Sequence, residues 1–253
     1  MPGILQQTQH DYLTTELRDS VVILKFQGDF FRVLTDLGQL ESINKFFSRI
    51  SKNPDLKTLV IHSFFTNAGV EEYLKFFGEC KWRQGDMLHR FYNVLDQIIV
   101  GLMELDKLVV HTCRGDLLSI FMGIGLACDY RIVADDTLFQ HAFSRRGMLP
   151  KGGSPFFLSR MLGRGRALEL LLLKSSISAE VALSHGIVDR VVPPEDLEHA
   201  ALEIAGKFHE IPLQTLMGVK RLINFSSQDL KVYLNFESHQ IGQLIRCNQI
   251  AGI

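Results

Sequence analysis

The chain has 253 residues, of which 27 are basic and 28 acidic, so its formal net charge at neutral pH is −1. Proteins that bind nucleic acid or anionic membranes by electrostatics carry a strong basic excess, so this composition argues against both kinds of partner. The length suffices for one large domain or two small ones, and in either case for a substantial hydrophobic core.

The sequence has no feature of a membrane-spanning or secreted protein. No apolar run approaches the roughly 20 residues that cross a bilayer, and the first residues lack the basic start and apolar core of a signal peptide. The cysteines are widely spaced and include no Cys-x-x-Cys pair, which favours buried thiols over a disulfide framework or a metal site. We therefore expect a cytoplasmic protein without a bound metal.

The first part of the chain alternates between strand and helix patterns. A β-branched run predicts a strand over residues 20–26, and apolar residues at helical spacing predict a helix over residues 36–50 before a second strand at 58–62. A crossover of this length joins parallel strands and covers one face of their sheet. A loop over 63–69, helices over 70–78 and 87–104, and a strand over 107–111 are expected next.

The middle of the chain contains the most distinctive pattern. After a polar turn that includes Asp116, small residues at Gly123, Gly125 and Ala127 alternate with bulky apolar ones, which is typical of a helix packed closely against its neighbours. Short strands are predicted over 132–134 and 137–139, followed by a loop over 147–153.

The C-terminal part is predominantly helical. Helices are predicted over 156–162 and 166–173, and a short helix over 178–185 that Ser178 caps and Gly186 ends. A strand over 187–192 then precedes three helices over 197–209, 212–225 and 228 to about 248. These patterns predict an α/β protein with a helical C-terminal third.

The order of these elements resembles the crotonase superfamily, the enoyl-CoA hydratase/isomerase family, over nearly the whole chain. Ala68, Gly69, Val70 and Glu71 are similar to the family's Ala-Gly-x-Asp loop. The other residues that carry the resemblance are Gly115, the segment 126–131, Ala134, Phe139, Gly147, Pro150, Gly152, Gly153, Arg160, Gly163, Ala167, Glu169, Leu170, the segment 177–179, Ala182, the segment 186–193 and Lys220.

The resemblance implies both an architecture and a substrate class. The fold is expected to be a crotonase-like ββα spiral over residues 1–195, with a C-terminal helical subdomain over 196–253 that supports assembly into homotrimers or hexamers. The substrate is expected to be a thioester of coenzyme A or of acyl-carrier protein. Coenzyme A then enters only as part of the substrate, and no other cofactor is implied.

Two backbone N–H groups form the centre of the family's chemistry. They bind the thioester oxygen while negative charge develops on it, and removal of one such donor costs about 3 kcal/mol. The resemblance places these donors on Val70 and Ile120, beside Ala68 and Gly69. Where relatives have consecutive glycines, this chain has Ser119, Ile120 and Phe121, and the bulky Ile and Phe suit a positive φ poorly.

The acid–base groups depart further from the family pattern. Hydratases of the family use two glutamates, whose positions fall on Gly123 and Phe143 in this chain when counted from Asp129. Neither residue transfers a proton, so hydration by the usual mechanism is not expected. Isomerases of the family often keep only the second glutamate, and Phe143 argues against that assignment as well.

Side chains that replace the two glutamates are expected in the same part of the site. His141 is the best acid or base at neutral pH, although a packed or surface histidine is the alternative. Asp116 and Ser119 lie beside the second donor and either orient water or substrate or act as turn and cap residues. Ser144 and Arg145, with Arg146, either bind a substrate carboxylate or lie in solvent.

Two functions are compatible with these residues. The first is an enzyme that stabilises a thioester enolate, with decarboxylation, hydrolysis and isomerisation all open. The second is a non-catalytic crotonase-fold protein that binds a thioester or serves as an assembly subunit.

Overall fold

The computed structural model describes residues 13–26, 31, 34–35, 37–63, 69–82, 86–141 and 147–246. Its main sheet has six strands in the order β1-β2-β3-β4-β6-β9. Only the β1–β2 pair is antiparallel, and the other neighbours are parallel. The strands are β1 (Leu13–Arg18), β2 (Val21–Phe26), β3 (Thr58–Ser63), β4 (Leu108–Cys113), β6 (Tyr130–Ala134) and β9 (Arg190–Val192).

Ten α-helices lie within the described residues. They are α1 (Leu37–Lys52), α2 (Val70–Trp82), α3 (Asp86–Glu104), α4 (Ser119–Leu126), α5 (Ser154–Leu162), α6 (Arg164–Leu173), α7 (Ala179–Ser184), α8 (Leu197–His209), α9 (Leu213–Asn224) and α10 (Leu230–Arg246). Among these residues no helix is both long enough and apolar enough to cross a bilayer.

Helices cover both faces of the main sheet. Every residue of β3 and β4 is buried, as expected for parallel strands between two helical layers. On one face Leu59 and Ile61 join the larger core with residues of α1, α3 and α4. On the other face Val60 packs in a smaller core with apolar residues of α8, such as Ala201 and Ile204.

A second, three-stranded sheet positions the candidate site. β5 (Asp116–Leu118) pairs in parallel with β7 (Leu138–Gln140), which pairs antiparallel with β8 (Ser176–Ser178). Leu118 is opposite Gln140 in the register. Neighbouring strands are about 4.8 Å apart, so the residues that follow, Ser119 and His141, leave the sheet side by side.

The parallel β2–β3 pair and the crossover helix α1 confirm the first predicted unit. Two predictions need correction. The polar turn does not lead directly into a helix, because residues 116–118 form β5. The strand expected from Ile187 begins only at Arg190, because the N–H groups of Ile187 and Val188 bond to the carbonyl of Ala182 in the turn after α7. The division near residue 195 stays a prediction.

Candidate active site

The start of helix α4 presents backbone N–H groups. Ile120 is its second residue and is buried. The first N–H groups of a helix have no intrahelical acceptor, and the N-cap residue Leu118 makes no side-chain cap bond. The helix dipole adds positive potential at this end. The predicted second donor therefore lies in the first turn of a helix, where backbone N–H groups lack an intrahelical acceptor.

Helical geometry also removes the expected conformational difficulty at Ile120 and Phe121. Asp19 is the only non-glycine residue with positive φ among the described residues. Ile120 and Phe121 lie inside α4 and need no left-handed backbone. Their bulk consequently affects the space around the donor rather than the backbone itself.

The predicted first donor, Val70, opens helix α2. Its N–H lies in the first turn, and the Gly69 carbonyl accepts the N–H of Tyr73 at 3.1 Å. Glu71 and Glu72 follow in the same turn, where carboxylates are favoured by the dipole. A Cβ added to Gly69 would lie 2.7 Å from a Glu72 carboxylate oxygen, so Glu72 folds back over this glycine. Ala68 lies outside the described residues.

His141 has a buried imidazole side chain. It follows β7 directly and is 3% exposed, and its main-chain N–H donates to the carbonyl of Ser175 at 2.7 Å. Among the described residues, neither nitrogen of the ring has a hydrogen-bond partner. Burial lowers the pKa of His141 to about 4, so the ring is neutral at pH 7.

The remaining predicted residues fall in different places. Ser119 is buried at the start of α4. Asp116 is exposed at the opposite end of β5, two residues and about 7 Å of strand before Leu118. Ser119 and His141 therefore follow paired strands at the same end of the small sheet, whereas Asp116 lies at the other end of β5. Phe143, Ser144 and Arg145 lie outside the described residues.

Gly123 has no room for any side chain. A Cβ at this position would lie 1.7 Å from the carbonyl oxygen of Gly152 and 2.7 Å from its carbonyl carbon. Gly152 has a φ of 84°, and a Cβ there would lie 2.5 Å from the Ile120 carbonyl oxygen. Helix α4 and the loop before α5 thus meet backbone against backbone, where the resemblance placed the first glutamate.

Aromatic rings fill the space between α2, α3 and α4. Phe31 lies at the centre of this group, with its ring centroid 5.6 Å from that of Phe121 and 5.7 Å from that of Tyr73. The rings of Phe76 and Phe91 also contact that of Phe31, with centroids at 5.2 and 5.8 Å. Phe121, which follows the predicted second donor Ile120, is therefore a core residue.

A charged cluster behind the Gly152 loop was not predicted from the sequence. The Lys151 ammonium donates to Asp96 of α3 and to Glu237 of α10, the latter at 3.0 Å. Burial raises the pKa of both carboxyls, and the positive charge of Lys151 opposes this effect. The three residues are far apart in the chain and form no motif, so the sequence contains no signal for their contact.

Comparison with known proteins defines the family. A sequence profile described as enoyl-CoA hydratase/isomerase matches residues 40–250. The chain belongs to the enoyl-CoA hydratase/isomerase family. An enoyl-CoA hydratase structure from Bacillus halodurans superposes with a TM-score of 0.79 at 20% identity, covering 92% of this chain and 95% of that one. This similarity confirms the predicted crotonase fold.

Curated members of the enoyl-CoA hydratase/isomerase family match over part of their length. A trans-2-decenoyl acyl-carrier-protein isomerase from Streptococcus mutans is 31% identical over 140 residues, which are 55% of this chain and 53% of that protein. A short-chain-enoyl-CoA hydratase from Clostridium acetobutylicum is 31% identical over 156 residues, 61% of this chain and 60% of that protein. The chain thus spans little more than half the length of these relatives.

Proposed function

We propose that this family member binds a thioester of coenzyme A or acyl-carrier protein and stabilises its enolate with the N–H groups of Val70 and Ile120. The support is that each residue opens a helix, where backbone donors lack intrahelical acceptors. The relatives' names include both carriers, one an acyl-carrier-protein isomerase and one a CoA hydratase.

We also propose that the reaction is not hydration by a glutamate pair. The contact between Gly123 and Gly152 supports this part of the proposal. A glutamate at residue 123 would begin with a Cβ 1.7 Å from a backbone oxygen. Because that oxygen belongs to the main chain, a rotamer change cannot relieve the overlap. The close packing at Gly123 therefore supports the proposal that no proton-transfer group acts from this position.

His141 is the proposed proton-transfer group. It leaves the small sheet beside Ser119 and hence one residue from the Ile120 donor. As a neutral ring it takes a proton from an α-carbon in isomerisation or from water in hydrolysis. Decarboxylation requires less, because cleavage of the bond to the carboxylate leaves its electron pair in the enolate, which then takes one proton at carbon.

A survey of thioesters by mass spectrometry tests this function. Enoyl-, carboxyacyl- and saturated acyl-CoA thioesters are incubated with the protein, and any change of mass or double-bond position is recorded. We expect turnover of at least one class, and its loss in Val70→Pro. Proline lacks the donor N–H but is tolerated at the first position of a helix, and Val70→Ala is the matched control.

Turnover that survives unchanged in Val70→Pro would exclude the proposed donor. Absence of both turnover and binding for all thioesters would exclude the enzyme and the binding function together.

A non-catalytic role is the second candidate. It is favoured by the aromatic rings packed between α2, α3 and α4, which fill space beside the second donor. Such a protein would bind a thioester without changing it, or serve only in assembly. Calorimetric binding of an acyl-CoA without turnover of any thioester would favour this role over the enzyme.

We further propose that the chain assembles as a homotrimer or hexamer. Large apolar side chains on α9, on the turn after it and on α10 are exposed, among them Leu222, Phe225, Val232 and Phe236. Exposed apolar groups at this density are typical of a surface that a partner covers.

A further inference from the structure

The cluster of Asp96, Lys151 and Glu237 has no role in the function proposed so far. Lys151 is 1% exposed and Glu237 is 5% exposed. Charged side chains are rarely buried to this degree, and a buried ion pair often stabilises a protein no better than apolar residues of similar size. Stability alone therefore does not account for this cluster, and its contacts indicate what else it does.

Glu237 binds main chain as well as Lys151. Its carboxylate accepts the N–H of Gly152 at 3.1 Å and that of Gly153 at 3.2 Å. Gly153 is the N-cap of α5 and supplies no side-chain cap. The carboxylate of Glu237, carried by the C-terminal helix α10, therefore anchors the two residues that precede α5.

The anchored loop also touches the residue that carries the proposed donor. Gly152 lies against the Ile120 carbonyl on one side and against Gly123 on the other. A continuous path of contacts therefore runs from Lys151 and Glu237 through Gly152 to the backbone of Ile120. Glu237 itself is unsuited to proton transfer, because its oxygens accept bonds from an ammonium and two amides.

We propose that Glu237, held by Lys151, is a positioning residue that fixes the Ile120 N–H in the orientation needed to bind a thioester oxygen. This inference rests on the proposed function. An oxyanion donor is effective only when it is oriented before charge develops, and such groups need support from their surroundings. A charge-assisted anchor through Gly152 provides that support with shorter and stronger bonds than neutral groups would.

Infrared spectroscopy tests the positioning role without requiring turnover. The probe is crotonyl-CoA with ¹³C at the thioester carbonyl, whose stretching frequency falls when the oxygen accepts a hydrogen bond. We expect the wild type to lower this frequency and Glu237→Gln to lose half or more of the shift, with Kd about tenfold weaker. Asp96→Asn is the matched control, because the Asp96 carboxylate accepts a bond from the Lys151 ammonium whereas the Gly152 and Gly153 amides donate to Glu237, and it should retain the shift.

A second variant and a second readout keep the test decisive. Lys151→Gln should act in the same direction as Glu237→Gln if either is too unstable to study. In the protein without ligand, Glu237→Gln should move the amide ¹⁵N resonance of Ile120 and leave that of Val70 in place. Thioester binding with an unchanged carbonyl shift in Glu237→Gln would show that the cluster serves packing alone.

The two proposals fail in different ways. If the wild type neither binds crotonyl-CoA nor shifts its carbonyl frequency, the proposed function fails for this probe. The amide ¹⁵N resonance of Ile120 then tests the positioning role of Glu237. If Glu237→Gln leaves this resonance in place, the positioning role is overturned. If the resonance moves, the link from Glu237 through Gly152 to Ile120 is supported.

Discussion

Replacement of Gly123 by alanine measures how tightly helix α4 and the Gly152 loop are packed. The added Cβ would lie 1.7 Å from one backbone atom of Gly152 and 2.7 Å from another, and 3.1 Å from the Ile99 Cδ1 atom. Side-chain adjustment relieves only the last of these contacts, so the loop or the helix must move. Overpacking of a core costs about 1–3 kcal/mol, and the backbone overlap here places the cost at about 3 kcal/mol.

Alanine also favours the helix over glycine by about 1 kcal/mol. The net destabilisation of Gly123→Ala is therefore about 2 kcal/mol, which corresponds to a decrease in Tm of roughly 4–8 °C for a chain of this size. Urea denaturation followed by circular dichroism gives the free energy, and a thermal melt gives Tm. A Gly123→Ala protein as stable as the wild type would refute the packing argument.

Gly206 of α8 provides the matched control. A Cβ at Gly206 meets no atom within 4 Å, so Gly206→Ala should gain the helix preference alone and stabilise the protein by about 0.5–1 kcal/mol. If Gly123→Ala lowers the free energy of unfolding and Gly206→Ala raises it, the effect of the clash is separated from the general effect of replacing glycine by alanine. The same argument predicts that Gly123→Glu, even combined with Phe143→Glu, does not create hydratase activity.

Three further results are expected. The wild type should not hydrate crotonyl-CoA above background, and robust hydration abolished by His141→Ala would contradict this. Burial lowers the pKa of His62 to about 4, of His111 to about 3 and of His141 to about 4. Protonation of each ring therefore favours the unfolded chain, so stability from these rings is complete above about pH 6.5 and is lost towards pH 4. Between these pH values, His141→Gln should reduce the change in the free energy of unfolding with pH by roughly 1.4 kcal/mol per pH unit, as measured by urea denaturation. Sedimentation equilibrium should show a trimer or hexamer at micromolar concentration, which Leu222→Glu dissociates, and a wild-type monomer would contradict the proposed assembly.

The sequence predicted the long elements and missed two of the short strands. Helix α8 was predicted with its observed bounds, Leu197–His209, because apolar residues three and four apart persist over several turns. Strands β5 and β8 have three residues each, too few for a period of two to be visible. Yet β5 decides where α4 begins, and therefore which N–H groups lie in its first turn.

The candidate site was predictable in part. The resemblance placed donors on Val70 and Ile120, and both open or nearly open a helix. The reason for glycine at residue 123 was not predictable, because it depends on contact with Gly152 across two elements. The link to Glu237 was hidden for the same reason, since 86 residues separate it from Lys151.

The candidate site has one wall whose residues contact one another, namely Gly123, Gly152, Lys151 and Glu237. A side chain at Gly123 requires Gly152 to move, and the Gly152 amide is bound by Glu237. Removal of Glu237 in turn leaves Lys151 with Asp96 as its remaining carboxylate partner, and breaking a buried ion pair costs about 3–5 kcal/mol. No single substitution in this wall therefore restores a proton-transfer group at residue 123 without disturbing the Ile120 donor. A thioester enzyme built on this wall must draw its acid–base group from another element. We propose His141 for this role, because it follows β7 at the same end of the small sheet as Ser119 and its ring nitrogens have no hydrogen-bond partner among the described residues.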